Sequence, residues 1–540
     1  MRTKTGNRLP SIAGFLSLSM ACAPGLLANT GEHEASAGTS EAYGPARFVS
    51  PEGNDAGPGT WQEPWKTIQH AADVATAGDT IYVREGTYHE LVNVSKSGTR
   101  TDGYITFQNY PGEKPILDGS TITAPADTWS AFFLVVNQSY VIIKGFEMRN
   151  YVATLPGQQP AGILIDGYGS NIQILNNRIH HIQVVRTAAA SCDPSSCNGH
   201  GIAVYGESGT QTLNRIRIEG NEVYDLKTGW SESVTLDGNV SNWSVVNNTI
   251  HDNDNIGIDA AGFYGFDPDP ATDQARDGEI RGNLVFDIDA NGNPAYENPD
   301  GSYSRFASGI YVDGAARIVV EQNDSHDNDL GIQVASENTG HSSDHVTVRN
   351  NLVYHSVNVG LAIGGYDPTV GGTSNTDIVN NTMYENDTLN AGFGEFFIQS
   401  NVVNCSFKNN LLYANSQGLF MSNYVTFGSD TTPIAVDYNL YFSPDGATGS
   451  GWMWNNTYYP TYQSYREATG NDAHSPFADP LFVDATSQSP DLKTLRRSPA
   501  RGAGVDLAAA IVGRYDFAGD WRTQGHHIDI GAYEHTREDD

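Results

Sequence analysis

Gly162-Ile-Leu-Ile-Asp-Gly167, Gly201-Ile-Ala-Val-Tyr-Gly206 and Ser233-Val-Thr-Leu-Asp-Gly238 are variants of one short phrase. It returns as Gly257-Ile-Asp259, Gly309-Ile-Tyr-Val-Asp-Gly314, Gly331-Ile-Gln-Val334 and Gly360-Leu-Ala-Ile-Gly364. The apolar residues alternate with period two, so each phrase is a strand with Ile, Val and Leu on one face. Between the phrases stands an Asn with a ring three residues later. The pairs are Asn177/His180, Asn221/Tyr224, Asn248/His251, Asn283/Phe286, Asn323/His326, Asn351/Tyr354, Asn381/Tyr384, Asn410/Tyr413 and Asn439/Phe442. Successive Asn residues lie 27 to 44 positions apart, settling at 28 to 30. A loose repeat near 30 residues, made of short strands and Asn/Gly turns, predicts a solenoid whose coils stack on one another. The fold class is all-β, a right-handed parallel β-helix. Asn tolerates the left-handed turn such coils need, and its amide can bond the equivalent Asn one coil away. The ring column is then a stack, which gives His180, His251 and His326 structural work.

The ends differ from the middle. Ile68, Ala71, Ala72 and Ala75 within Trp65–Ala77 are spaced for an amphipathic helix, ended by Gly78-Asp79 and suited to cover the first coil. About three early coils follow, from Asp79 to Asn150. Past Phe442 the repeat fades into Pro- and Ser-rich chain, ending Asp-Ile-Gly-Ala-Tyr-Glu at 529–534. The expected division is a signal peptide over 1–28, a flexible segment over 29–46, the β-helix over 47–445 and a C-terminal cap segment over 446–540. The start supports export: Arg2, Lys4 and Arg8 precede an apolar run from Ile12 to Leu27, too short and broken for a membrane span. Cys22 is a poor lipidation site, since Ser19 stands where a lipobox prefers Leu. A secreted or periplasmic protein is expected. Cys192 and Cys197 are close enough to clip their loop with a disulfide there, and Cys405, in a strand-like run, reads as a buried thiol.

The 540 residues hold 30 Lys and Arg against 63 Asp and Glu, a formal charge of −33. That sign repels nucleic-acid phosphates and anionic lipid headgroups and favours cations or neutral ligands. The content of 39% hydrophobic residues suffices for a packed core. Nothing in the chain indicates membrane insertion or a nucleic-acid partner, and a monomer is expected.

The opening Phe48-Val-Ser-Pro-Glu-Gly-Asn-Asp, then Pro64-Trp-Lys-Thr-Ile-Gln-His-Ala and Gly78-Asp-Thr-Ile-Tyr-Val-Arg-Glu-Gly-Thr-Tyr, resembles the start of bacterial secreted β-helix proteins. Among these are the pectate-lyase-like polysaccharide lyases, including family 9. The ending at 529–534 is similar too. The resemblance spans the mature chain and implies the fold; one such fold hosts lyases, hydrolases and epimerases. It also implies a polysaccharide partner, Lys or Arg as catalytic base, and Ca²⁺ as electrostatic partner.

Aligning the strands on their Ile/Val pairs gives an outward column: Asp166, Tyr205, Asp237, Asp259, Asp313, Ala335, Gly364. Asp237, Asp259 and Asp313 would form a ladder on consecutive coils, ~4.8 Å per step. Carboxylates ~5 Å apart repel by roughly 3 kcal/mol at an effective dielectric near 20, so something must offset that. Ca²⁺ held by these three and Glu232 is one answer; a protonated and an ionised carboxyl, as in glycosidases, is another. The plain alternative is Asp-Gly turn chemistry, which fits Asp166, Asp237 and Asp313 but not Asp259. Glu232 and Glu337 flank the ladder, as does the long loop Ala260–Gly278. In it Tyr264-Gly-Phe-Asp-Pro268 is similar to a motif of mannuronan C5-epimerases, which continues with His where Asp269 stands here. Gly199-His200-Gly201 resembles the Gly-His-Gly of polygalacturonases, but precedes rather than follows the aspartates. β-Elimination needs a base for the proton α to a uronate carboxylate; the candidates are Lys227 and Arg276. Trp230, Tyr264 and Tyr311 could stack sugar rings, and His200 and Glu337 could line the cleft. The leading expectation is a Ca²⁺-assisted polysaccharide lyase. A glycoside hydrolase using two of the three aspartates, and a non-catalytic carbohydrate-binding solenoid, are the alternatives.

Overall fold

The computed structural model describes residues 46–126, 128–184, 197–423, 434–524 and 527–535. The expected signal peptide, the segment 29–45, Cys22 and Cys192 lie outside the described residues.

The described chain winds through three long sheets. Among those residues they hold 16, 13 and 12 strands, and neighbouring coils pair in parallel. One coil shows the plan. Val240–Val246 lies in the 16-stranded sheet, Thr249–Asn253 in the 12-stranded sheet and Ile258–Ala261 in the 13-stranded sheet. Inward Ile, Val and Leu from all three merge into one core running along the axis. This is a parallel β-helix.

The turn from the 16- to the 12-stranded sheet is where the Asn residues act. A left-handed residue, such as Asn176, Asn247 or Asn350, makes the corner, and the next Asn turns its side chain inward. Nδ2 of Asn177 bonds Oδ1 of Asn221 at 3.0 Å, and the same link joins Asn221 to Asn248, Asn248 to Asn283 and Asn283 to Asn323. It continues through Asn351, Asn381 and Asn410 to Asn439. All nine predicted positions thus form one buried ladder. The ring column stacks beside it: His180 on Tyr224, Tyr224 on His251, His251 on Phe286, Phe286 on His326 and His326 on Tyr354, with centroids 4.7–5.1 Å apart.

The first helix is shorter than the spacing predicts, Ile68–Val74, with Thr67 as N-cap. The reason is a cap the periodicity cannot show: the Glu90 carboxylate accepts from the Ile68 and Gln69 backbone N–H groups and fixes the first turn. Ile68, Ala71 and Ala72 face the core as expected. At the far end Trp452 stacks on Tyr465 of the helix Tyr462–Thr469, closing the last coils. The tail then runs back along the Asn corner. Asn409 donates to Val505 O, Asn380 to Asp529 O, and Asn350 to Val512 O and Tyr515 O. Cys405 is buried, and burial pushes its thiol up to about 11.

Candidate active site

The outward face of the 13-stranded sheet collects most of the predicted site. In register, Asp166 pairs with Tyr205 and Tyr205 with Asp237. The expected ladder fails at the next coil. Val234 pairs with Ile258 and Leu236 with Ala260, so Asp259 sits opposite Thr235, and Ala261 follows Asp237. Ala261 pairs with Asp313, and Asp259 with Tyr311. Ala260 causes the error: it fills the second inward position, which elsewhere holds Val, Leu or Ile, so the alternation leads one phase too early. Asp237 and Asp313 therefore share a column two rungs apart across Ala261, and Asp259 belongs to the neighbouring column.

Among the described residues no group of three or more His, Cys, Asp or Glu converges to hold a metal ion. The Asp237, Asp259, Asp313 and Glu232 set does not fit the Ca²⁺ that the resemblance implies, because the register scatters the carboxylates over two columns.

Hydrogen bonds define the face. His200 sets its Nδ1 2.8 Å from the Glu232 carbonyl oxygen and its Nε2 2.7 Å from the Tyr205 hydroxyl. A carbonyl only accepts, so Nδ1 carries the proton in the neutral ring and Nε2 accepts from Tyr205. The Glu232 carboxylate also stands 3.9 Å from Nδ1. Trp129 lies against His200 at 4.9 Å between centroids, and Phe266, from the long loop, stacks on Tyr205 at 4.2 Å. Asp313 accepts from the Tyr264 hydroxyl and from the Glu337 backbone N–H at 2.9 Å. Asp237 accepts from the Gly238 N–H at 2.7 Å. His200, Tyr205, Glu232, Asp237, Asp259, Tyr311 and Asp313 are each at most 3% exposed.

Electrostatics are one-sided. Burial, then the charges of Glu232, Asp237, Asp259 and Asp166, hold the Tyr205 phenol far above its usual range. Burial, then Asp313 and Glu337, do the same for Tyr264. Glu207 is pushed up to about 7 by desolvation and by Asp166.

Both predicted bases lie elsewhere. Arg276, in Arg276–Arg281 of the 16-stranded sheet, donates to Asn239 Oδ1 at 2.8 Å and to Gln274 O at 3.1 Å, so it staples the foot of the long loop. Lys227 lines an open polar groove of about 680 Å³ at the corner after the 12-stranded sheet, with Asp252, Asp287, Asp327 and Arg305. Trp230 lies against Tyr296, with ring centres 5.7 Å apart, and Tyr311 packs with Ile256 and Ala335. Cys197 is disulfide-bonded. Sequence reasoning missed Tyr205 as a functional group although it stood in the column. Trp129 and Phe266 gave no periodic signal at all.

Residues 47–410 match the family described as Pel9A-like, right handed beta helix region. The uncharacterized protein YwoF of Bacillus subtilis is 37% identical over 462 residues, covering 85% of this chain and 93% of that one. Pectate lyase PEL9 of Emericella nidulans is 46% identical over 83 residues, 15% of this chain and 20% of the relative. The crystal structure of pectate lyase Pel9A superposes with a TM-score of 0.48 at 15% identity, covering 92% of this chain and 97% of that one. On the family match and the YwoF alignment, the chain belongs to the family with a Pel9A-like, right-handed β-helix region.

Proposed function

We propose that the protein is an exported, monomeric enzyme that cleaves polysaccharide on the acidic face of the 13-stranded sheet, hydrolysing the glycosidic bond with Asp237 and Asp313. The observation that carries this is the column Asp237–Ala261–Asp313. Two rungs of ~4.8 Å set the carboxyl-bearing backbones ~10 Å apart, close to the ~6.5–9.5 Å carboxyl separation of inverting glycosidases, which leaves room for a water. Asp313, whose carboxylate accepts from the Tyr264 hydroxyl and the Glu337 N–H, serves as base for that water. Asp237, across Ala261 from it, is the acid partner for the leaving oxygen.

A second reading rests on Tyr205 and His200. A phenol donating to an oriented imidazole is a proton-transfer unit. In β-elimination it would take the proton from C5 of a uronate and return one to the leaving O4 as the C4–C5 double bond forms. No Lys, Arg or cation is needed for that balance.

A polysaccharide panel, read in parallel by new reducing ends and by ultraviolet absorbance, with and without EDTA, tests both. Reducing ends without absorbance, with inverted anomeric product by NMR, are expected. Absorbance from an unsaturated uronate moves the assignment to elimination. Binding without any turnover overturns the enzyme reading in favour of a carbohydrate-binding solenoid.

A further inference from the structure

We propose that the glycan accepted on this face is one without carboxylates, a polymer of neutral hexoses, pentoses or N-acetylhexosamines, and that polyuronates are rejected. This rests on the reading that the face around Asp237 and Asp313 is the active site. It departs from the substrate named for the pectate lyase relative.

Asp166, Glu207, Glu232, Asp237, Asp259 and Asp313 belong to five consecutive coils, on or beside the strands of one sheet. The charges that weigh most on Tyr205 are four of these carboxylates, and those on Tyr264 are Asp313 and Glu337. The two cations expected to serve a uronate are engaged at other places, Arg276 on Asn239 and the loop carbonyls, Lys227 in the corner groove. The register also denies the aspartates the convergence that would hold a bridging metal. A uronate carboxylate laid here meets charge of its own sign in a confined, weakly screened setting. A sugar hydroxyl meets the opposite: carboxylate oxygens accept hydrogen bonds strongly, and each can orient one or two hydroxyls.

Matched polymers test this with the full secreted chain. Polygalacturonate and alginate are each compared with their carboxyl-reduced forms, beside xylan, galactan, β-glucan and chitin oligomers, by affinity electrophoresis at 20 and 300 mM salt. At least one neutral polymer should be retained, and at low salt at least tenfold more strongly than any polyuronate. The gap should narrow at high salt, because the discrimination is Coulombic. Glu207→Gln, at an exposed position beside Asp166, should narrow the gap at low salt by raising polyuronate retention. Equal or tighter binding of a polyuronate, reversal of the preference by 1 mM Ca²⁺, or retention of no neutral polymer would overturn the proposal. A neutral polymer that is bound but never cleaved would sink the hydrolase reading and leave this one standing. Polyuronate cleaved with ultraviolet absorbance would sink this one and leave polysaccharide cleavage standing.

Discussion

Replacing Asn323 by Ala interrogates the feature that holds the coils in step. Oδ1 of Asn323 accepts the Asn283 backbone N–H at 3.0 Å and its side-chain amide at 2.9 Å. Its Nδ2 donates to Ile280 O at 2.9 Å and to Asn351 Oδ1 at 3.0 Å. Truncation removes all four bonds at a site with no exposure. Two buried donors on Asn283 are left with nothing to bind, each costing about 1–3 kcal/mol, so the loss should centre near 4 kcal/mol. A solenoid distributes stability between neighbouring coils, so the damage should be local. Hydrogen exchange followed by mass spectrometry reads this directly. Near 4 kcal/mol, protection in strands around residues 280–350 should fall by about a thousandfold, at roughly 1.4 kcal/mol per decade. Strands around residues 80–110, several coils away, should keep theirs. Unchanged protection beside Asn283, or an equal fall along the whole chain, would refute the ladder as a coil-by-coil stabiliser.

Asp237→Asn and Asp313→Asn should each lower kcat on the polymer the enzyme cleaves by about 10²–10⁴-fold, with exchange protection of the sheet unaltered; a loss below tenfold in either removes that residue from the pair. Tyr205→Phe keeps the stack on Phe266 but cuts the bond to His200. Under hydrolysis kcat should change less than tenfold; a loss of about a hundredfold or more would mark Tyr205 as the proton carrier of elimination. Stability should fall as the solution turns alkaline. Burial, then the charge of Asp289, pushes Asp329 up to about 7, and burial, then Asp529, pushes Glu534 up to about 8. The folded chain therefore holds protons that the unfolded chain has released above the ordinary carboxyl range, so stability is full below that range and declines as pH rises through 7–8. The urea midpoint should be higher at pH 5 than at pH 8.5, and Asp329→Asn should flatten the difference; a midpoint that climbs with pH contradicts the sign.

The Asn ladder and the ring stack were legible because a solenoid turns sequence periodicity into spatial adjacency: residues one repeat apart touch. Face was legible for the same reason, since alternation alone puts Asp237, Asp259, Tyr311 and Asp313 outward. Register was not. It is set by which inward residues pair, and one Ala in place of a larger residue at 260 sufficed to shift Asp259 by two positions. Lys227 and Arg276 were misplaced because both lie near corners, where loop length varies from coil to coil and no period applies. The His200–Tyr205 bond escaped for another reason. It joins two residues of one strand, five apart, so it depends on side-chain geometry at the strand start, about which the repeat carries no information.

Two acidic rows on this molecule show two ways in which the fold deals with like charge. After the stacked rings His251, Phe286 and His326 come Asp252, Asp287 and Asp327, each in the left-handed conformation at a corner. There the repulsion is relieved by imidazoles, His251 on Asp252 at 2.6 Å and His326 on Asp327 at 2.7 Å, leaving the middle Asp287 pushed up to about 6 by desolvation and its two neighbours. The sheet face uses spacing instead. Tyr205 separates Asp166 from Asp237, Ala261 separates Asp237 from Asp313, and Tyr311 takes the rung after Asp259. Moving two carboxylates from ~5 to ~10 Å apart halves a repulsion of roughly 3 kcal/mol at an effective dielectric near 20. The small or uncharged residue on every second rung thus does two things at once. It halves the repulsion along the face, and it leaves Asp237 and Asp313 two rungs apart, the spacing on which the proposed hydrolysis rests.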